Sequence, residues 1–211
     1  MTAAKALPAK PRRGRPADPG KREAIMEVAR RLFYEQGYGI GLDSVAREAG
    51  VARQTIYNLF ASKEDLFAAI VSQGAESIGA PLRDLPMDAE PRDVLVRFGE
   101  NYLSAIQSDR SIGMQRLLIS SAQAFPEMVA TFFANGPAIN RQRLADFLRK
   151  SAPRAKLRIE DPSEAADYLL GMMLGTIAMR RTLGLMQPLS HSAIEKRIGR
   201  AVDTFLRAYK A

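Results

Sequence analysis

An all-α fold, with a small N-terminal helix-turn-helix domain joined to a larger helical domain, is predicted by three features of the sequence. Apolar residues recur at three- and four-residue spacing along most of the chain. No convincing stretch alternates with the period of a strand. A short helix, a glycine turn and a second short, polar-faced helix follow one another before residue 60. About nine helices are expected. The segments are a flexible basic arm over residues 1–17, the helix-turn-helix domain over 18–63, and the larger domain over 64–211.

Residues 1–17 carry three prolines and a cluster of cations with no apolar period, which reads as a mobile arm. Asp18-Pro19 is a helix start, an N-cap followed by a residue whose φ is already helical. Ile25, Val28, Ala29, Leu32 and Phe33 then share one face, so the first helix is expected over 19–36 with Gly37 as its stop. "GYGIG" looks superficially like a phosphate loop. No strand precedes it, so it is read as a turn between helices. Leu42, Val45, Ala46 and Ala49 make a second helix of about two turns, closed by Gly50 and too short to hold without neighbours.

The third helix lies in "GVARQTIYNLFASKED", residues 50–65. At about 100° per residue, Leu59 and Phe60 fall within about 60° of Ile56, and these three form a buried side. Gln54 and Asn58 fall opposite, flanked by Thr55 and Tyr57. Amide and hydroxyl groups without negative charge suit contact with base edges and phosphate oxygens. Ser62-x-x-Asp65 caps a fourth helix reaching about residue 79, with Lys63 beside the cap and Leu66, Phe67, Ile70 and Val71 on its apolar face.

Longer helices are expected beyond Pro86. One opens at Pro91 and runs to about 107, and "RSIGMQRLLISSAQ" gives the next. Pro126 begins a single long helix disturbed at Gly136-Pro137. Asp161-Pro162 caps another that ends at Gly184. Ser192-x-x-Glu195 caps the last, whose stripe is Ile194, Ile198, Ala201, Val202, Phe205 and Leu206.

Charge and composition narrow the function. Seven cations face only Asp18 within the first 22 residues, so six of the eight excess positive charges sit at that end. A basic arm on a near-neutral body suggests a polyanion, nucleic acid before membrane. A merely solubilising tail is the plainer reading. Cysteine is absent and His191 is the one histidine, which leaves little for a metal site or a nucleophilic triad; no cofactor, metal or catalytic residue is expected. "YLLGMMLGTIAM" is too short to span a bilayer, and the N-terminus lacks a signal-peptide apolar region, so a cytoplasmic location is expected. The competing classes are a helical enzyme or lipid-type carrier, and an architectural DNA-binding protein that relies on the arm.

The stretch "GYGIGLDSVAREAGVARQTIYNLFASKEDLF", preceded by "A-x-x-LF-x-x-x-GY", resembles the TetR family of bacterial transcriptional regulators over residues 19–71. Ala46, Ala49-Gly50-Val51, Thr55, Tyr57, Phe60, Lys63-Glu64 and Leu66 carry the match. "FPEMVATFF…GP" and the last two helices resemble the AcrR/AefR-like subgroup. The resemblance implies a homodimeric repressor on a near-palindromic double-stranded operator, released by an unidentified small-molecule effector that binds the larger domain and shifts the fourth helix. It implies base or nearby phosphate contacts by Arg53, Gln54 and Thr55, backbone or base-edge contacts by Tyr57 and Asn58, and a phosphate contact by Lys63. Two positions depart from the pattern. Gly41 stands where a capping Ser or Thr is common, with Ser44 as a partial substitute, and Leu59 replaces a His or Tyr. "RRGRP", with Arg12, Arg13 and Arg15, resembles a core that binds narrow A·T-rich minor grooves.

In the larger domain, Tyr102, Gln115, Arg116, Gln123 and Met172 are candidates for an effector cavity, since polar groups among adaptable methionines suit a small amphipathic molecule. Ordinary core and surface roles are the alternative. Gly171 and Gly175, four apart beside Ala178, permit close helix approach. With Ile198 and Phe205 they are candidates for a dimer interface, close packing within one subunit being the rival.

Overall fold

The computed structural model describes residues 19–84 and 89–211. Among these residues the only strand-like pairing is an isolated bridge between Leu157 and Lys210. The helices are α1 Pro19–Gln36, α2 Leu42–Glu48, α3 Arg53–Leu59, α4 Lys63–Asp84, α5 Pro91–Gln107, α6 Asp109–Ser121, α7 Pro126–Asn135, α8 Pro137–Ser151, α9 Pro162–Leu174, α10 Ile177–Thr182 and α11 His191–Ala208. The fold is all-α, as read.

Eleven described helices replace the expected nine because two long ones divide. At Gly136 the backbone leaves the helical region, at φ −120° and ψ −91°, and Pro137 opens α8. At Gly175 the chain turns left-handed, at φ 51°, and ends α9. A side chain there would meet Arg197 Nη2 at 2.7 Å. Arg197 donates to the carbonyls of Met173 at 2.6 Å and Met172 at 3.3 Å, so α11 satisfies acceptors in the last turn of α9. The expectation that Gly171, Gly175 and Ala178 share one helix face is therefore corrected: Gly171 lies in α9, Gly175 terminates it and Ala178 belongs to α10.

Several caps form as read. Ser62 Oγ accepts from the Asp65 amide at 3.1 Å, and Asp65 Oδ2 accepts from the Ala61 amide at 3.1 Å. Asp161 takes the amides of Ser163 and Glu164. The last helix starts earlier than expected, because Ser190 rather than Ser192 accepts from the Ala193 amide. His191, its first residue, is exposed and 3.2 Å from Glu195. The Asp18 cap and the arm lie outside the described residues.

Two apolar clusters hold these helices. The first joins Ile25 and Phe33 of α1, Val45 of α2, Ile56 of α3 and Leu66 and Phe67 of α4 to Leu118 of α6 and Met128 of α7. Tyr38 sits among three rings, with centroids 5.5 Å from Phe33, 5.2 Å from Phe67 and 5.4 Å from Phe125. The second cluster gathers α5, α8, α9 and α11 around Phe98, Leu144, Leu169, Ile198 and Phe205. Helix α4 serves both: Leu66 to Val71 pack in the first, while Ile78 and Leu82 lie against the second. Each fully buried side chain of this kind contributes roughly 1.5–3 kcal/mol.

This burial overturns part of the dimer expectation. Ile198 and Phe205 have no exposed surface even in the isolated chain. Their apolar faces are spent on α5 and α9 of the same subunit.

Ion pairs tie the outer surfaces of these helices. Arg141 of α8 engages Asp167 of α9, Arg92 of α5 engages Asp203 of α11, and Arg143 of α8 engages Glu76 of α4. Guanidinium hydrogen bonds hold the carboxyls of Asp167, Asp203 and Glu76 below the usual carboxylate range. A depressed folded-state pKa gives stability that is present above the unfolded value, near about 4, and is lost as pH falls through the folded value. The thermal midpoint is therefore expected to be flat from about pH 7 to about pH 5 and to fall below about pH 4. Asp203→Asn should make the acid decline shallower in differential scanning calorimetry.

Candidate nucleic-acid interface

The turn between α2 and α3 sets the direction of α3. Val51 donates to Ala46 O at 3.0 Å and Gly50 donates to Arg47 O at 3.2 Å, with Gly50 at φ 64°. This paired closure needs a left-handed residue, which glycine supplies. From there α3 lays Ile56 and Phe60 into the first cluster, with Leu59 half-buried beside them. Gln54 and Asn58 are exposed on the other side, as read from the helical period.

The exposed side is already organised. Gln54 Nε2 donates to Asn58 Oδ1 at 2.8 Å. Arg53 Nε lies 2.6 Å from Asp43 Oδ1 on α2, and its guanidinium sits 6.0 Å from the centre of the Tyr57 ring. Tyr57 is exposed, while Thr55 and Ser44 are half-buried. Gly41 is the N-cap of α2 and offers no side-chain acceptor, which matches the departure noted in the sequence. Asp43 was not singled out by the sequence. No helical spacing links residues 43 and 53, and only the fold of the turn brings them together. Arg12, Arg13 and Arg15 lie outside the described residues.

Lys63, expected on a phosphate, is engaged within the protein. Its side chain is half-buried, and Nζ donates to the Tyr38 carbonyl at 2.9 Å. The ammonium lies 4.2 Å from the centre of the Tyr38 ring and 5.5 Å from that of Phe125. It thus joins the start of α4 to the turn after α1 and to the entry of α7. Burial is the first cause, and the nearby Glu64 and Glu127 carboxylates add to it, in pushing the Tyr38 hydroxyl well above its ordinary range.

The five effector candidates lie in different surroundings. Tyr102 is buried in the second cluster, stacked 5.6 Å from Phe98, and burial raises its hydroxyl pKa. Gln115 accepts from the Thr182 hydroxyl, and Arg116 donates to the Thr182 carbonyl, so both hold α6 to α10. Gln123 is exposed. Met172 lies on the outer face of α9 and α11, where an open groove of about 490 Å³ is lined by Met172, Lys196, Arg200 and Thr204 among others. Gly171 and Gly175 are exposed on α9 and at its end, and Tyr168, Met179, Leu183 and Leu185 are exposed on α9, α10 and the turn that follows α10.

The larger domain reaches the N-terminal helices through α6. Buried Arg181 of α10 donates to Gln107 O at 3.2 Å, Met186 O at 3.2 Å and Asp109 Oδ1 at 2.6 Å, which fixes the α5–α6 corner. Arg110 then pairs with Glu27 of α1 at 2.8 Å, and the Tyr34 ring lies over Gly113. Among the described residues no helix is long and apolar enough to cross a membrane, and no group of three His, Asp or Glu side chains is placed to hold a metal ion.

Comparison with known proteins agrees with this architecture. The family described as "Bacterial regulatory proteins, tetR family" matches residues 25–70, and "AefR-like transcriptional repressor, C-terminal domain" matches residues 93–211. The HTH-type transcriptional regulator YvkB of Bacillus subtilis (strain 168) is 25% identical over 162 residues, covering 76% of this chain and 82% of that protein. AcrR of Shigella flexneri is 35% identical over 100 residues, 46% of each chain. Among solved structures, the flavonoid-responsive regulator FrrA superposes with a TM-score of 0.73 at 30% identity, covering 92% of this chain and 98% of that one. A putative TetR-family regulator from Mesorhizobium loti MAFF303099 superposes with a TM-score of 0.76 at 23% identity, covering 91% and 98%. With a polar side of α3 presented outward and both domains matched, the chain belongs to the TetR family of DNA-binding transcriptional regulators.

Proposed function

We propose that this regulator works as a homodimeric repressor in the cytoplasm, holding a near-palindromic operator through α3 and releasing it when a small molecule binds the body. The observation that carries the DNA-reading part is that α3 buries Ile56, with Phe60 buried as the residue that ends it, and exposes Arg53, Gln54, Tyr57 and Asn58. A helix of this size fits the major groove, and two copies related by a two-fold axis would read half-sites roughly 34–36 Å apart. Gln54 and Thr55 are assigned to base edges or adjacent phosphates, Tyr57 and Asn58 to the backbone or a base edge, and Ser44 to a phosphate. The arm residues Arg12, Arg13 and Arg15 are assigned to the neighbouring minor groove.

The exposed apolar side chains of α9 and α10, Tyr168, Met172 and Met179, support that face as the contact between subunits. The α10–α6–α1 contacts and Lys63 support a route by which a shift in the body tilts the reading heads. Moving such an equilibrium from one state to the other needs an effector preference of ~10⁴-fold, about 5.5 kcal/mol. Flat aromatic compounds are the first class to screen, since FrrA is named for a flavonoid response.

Footprinting on DNA flanking the protein's own gene tests the reading: a symmetric protected site lost on addition of the effector is expected, and uniform protection without sequence preference would refute it. In binding isotherms, Gln54→Ala or Thr55→Ala should weaken discrimination between operator and random duplex by ~1–3 kcal/mol. Lys63→Ala should lower the thermal midpoint while leaving the salt slope of DNA binding nearly unchanged, because its ammonium is occupied within the protein. A slope reduced by about 1 would mean that Lys63 leaves Tyr38 to contact a phosphate.

A further inference from the structure

We propose that Asp43 is a positioning residue that sets the base preference of Arg53, an inference that rests on the DNA-reading assignment of α3. The two residues come from different helices of the reading unit and meet on its exposed surface, with Arg53 Nε 2.6 Å from Asp43 Oδ1. Side chains of both are half or more exposed, so in the free protein the pair is screened by solvent and contributes little to stability. Its position beside the reading face makes a stability role insufficient to account for it. A carboxylate on a surface that meets a phosphate backbone is repelled unless a cation stays on it.

The chemistry of the contact selects one use of the arginine. Asp43 makes its closest approach on the Nε side and the Tyr57 hydroxyl also bonds the guanidinium, whose terminal nitrogens carry N–H donors enough to meet an incoming pair of acceptors as well. That two-nitrogen edge matches O6 and N7 of guanine, whereas a single point charge would not distinguish bases. Arginine has a long, freely rotating stem, and fixing it before the duplex arrives reduces the rotamer entropy that must be lost on binding. Tyr57, whose ring centre lies 6.0 Å from Cζ and whose hydroxyl bonds the guanidinium, further restricts its sweep. Asp43 also lies in the first turn of α2, where a negative charge favours the helix dipole. That second role predicts a change in melting temperature and none in base preference, so the two are separable.

The test is selection from a randomised pool of DNA duplexes by full-length wild-type protein, Asp43→Asn and Arg53→Ala, with the enriched sequences read out and thermal melts run alongside. Asp43→Asn keeps the shape and removes the charge. The expected result is that it loses discrimination at the same half-site position that Arg53→Ala loses, by about tenfold against the preferred base, while other positions keep theirs. Binding to random duplex should rise, since a repelling charge is gone. An unchanged preference in Asp43→Asn would reduce the pair to surface charge and overturn the proposal. A loss at a position that Arg53→Ala leaves intact would make Asp43 a direct reader, accepting from a cytosine amino group, and would also overturn it. Failure of the wild-type protein to enrich any sequence would instead refute the DNA-reading assignment on which this proposal stands.

Discussion

Burial of Ile56 and Phe60 is the constraint on which the reading unit depends. Helix α3 is two turns long, too short to persist alone, and is held because one of its sides belongs to the first apolar cluster. Once that side is fixed, helical geometry leaves no choice about the other: Gln54 and Asn58 must point out. The Gly50 turn sets the angle between α2 and α3, and that angle brings Asp43 to Arg53.

The same cluster extends beyond the three N-terminal helices. Leu118 of α6 and Met128 of α7 are buried in it, and Phe125 completes the rings around Tyr38. The reading unit therefore has no independent core of the size its sequence suggests. It shares side chains with the body, and α4 carries apolar residues into both clusters. A shift at the entry of α7 would disturb the packing of Phe125 on Tyr38 and Lys63, and so couples the larger domain to the start of α4.

Much of this was legible from periodicity and caps. The orientation of α3, the glycine stop after α1, the Ser62 and Asp161 caps and the absence of strand patterning each rest on local chemistry, and local chemistry is what a sequence displays. The breaks at Gly136 and Gly175 were harder, because whether a glycine bends a helix depends on what approaches it; at Gly175 that is Arg197, 22 residues on. Ile198 and Phe205 showed an apolar stripe but not which surface would cover it. Lys63 carried a family role in sequence, whereas its partners, Tyr38 and Phe125, are set by tertiary packing. The surroundings of the effector candidates were hidden for the same reason: polar residues near methionines are common, and only the fold reveals that Gln115 and Arg116 hold α10 while Met172 faces outward.

Hydrogen–deuterium exchange of the full-length chain, with and without a duplex carrying its operator, tests the central claim most directly. The account predicts that DNA slows exchange at amides of α2, α3 and the turn between them, leaving the outer face of α9 and α11 unaffected by direct contact. Protection confined to α9 and α11, with α3 exchanging as fast as in the free protein, would contradict it.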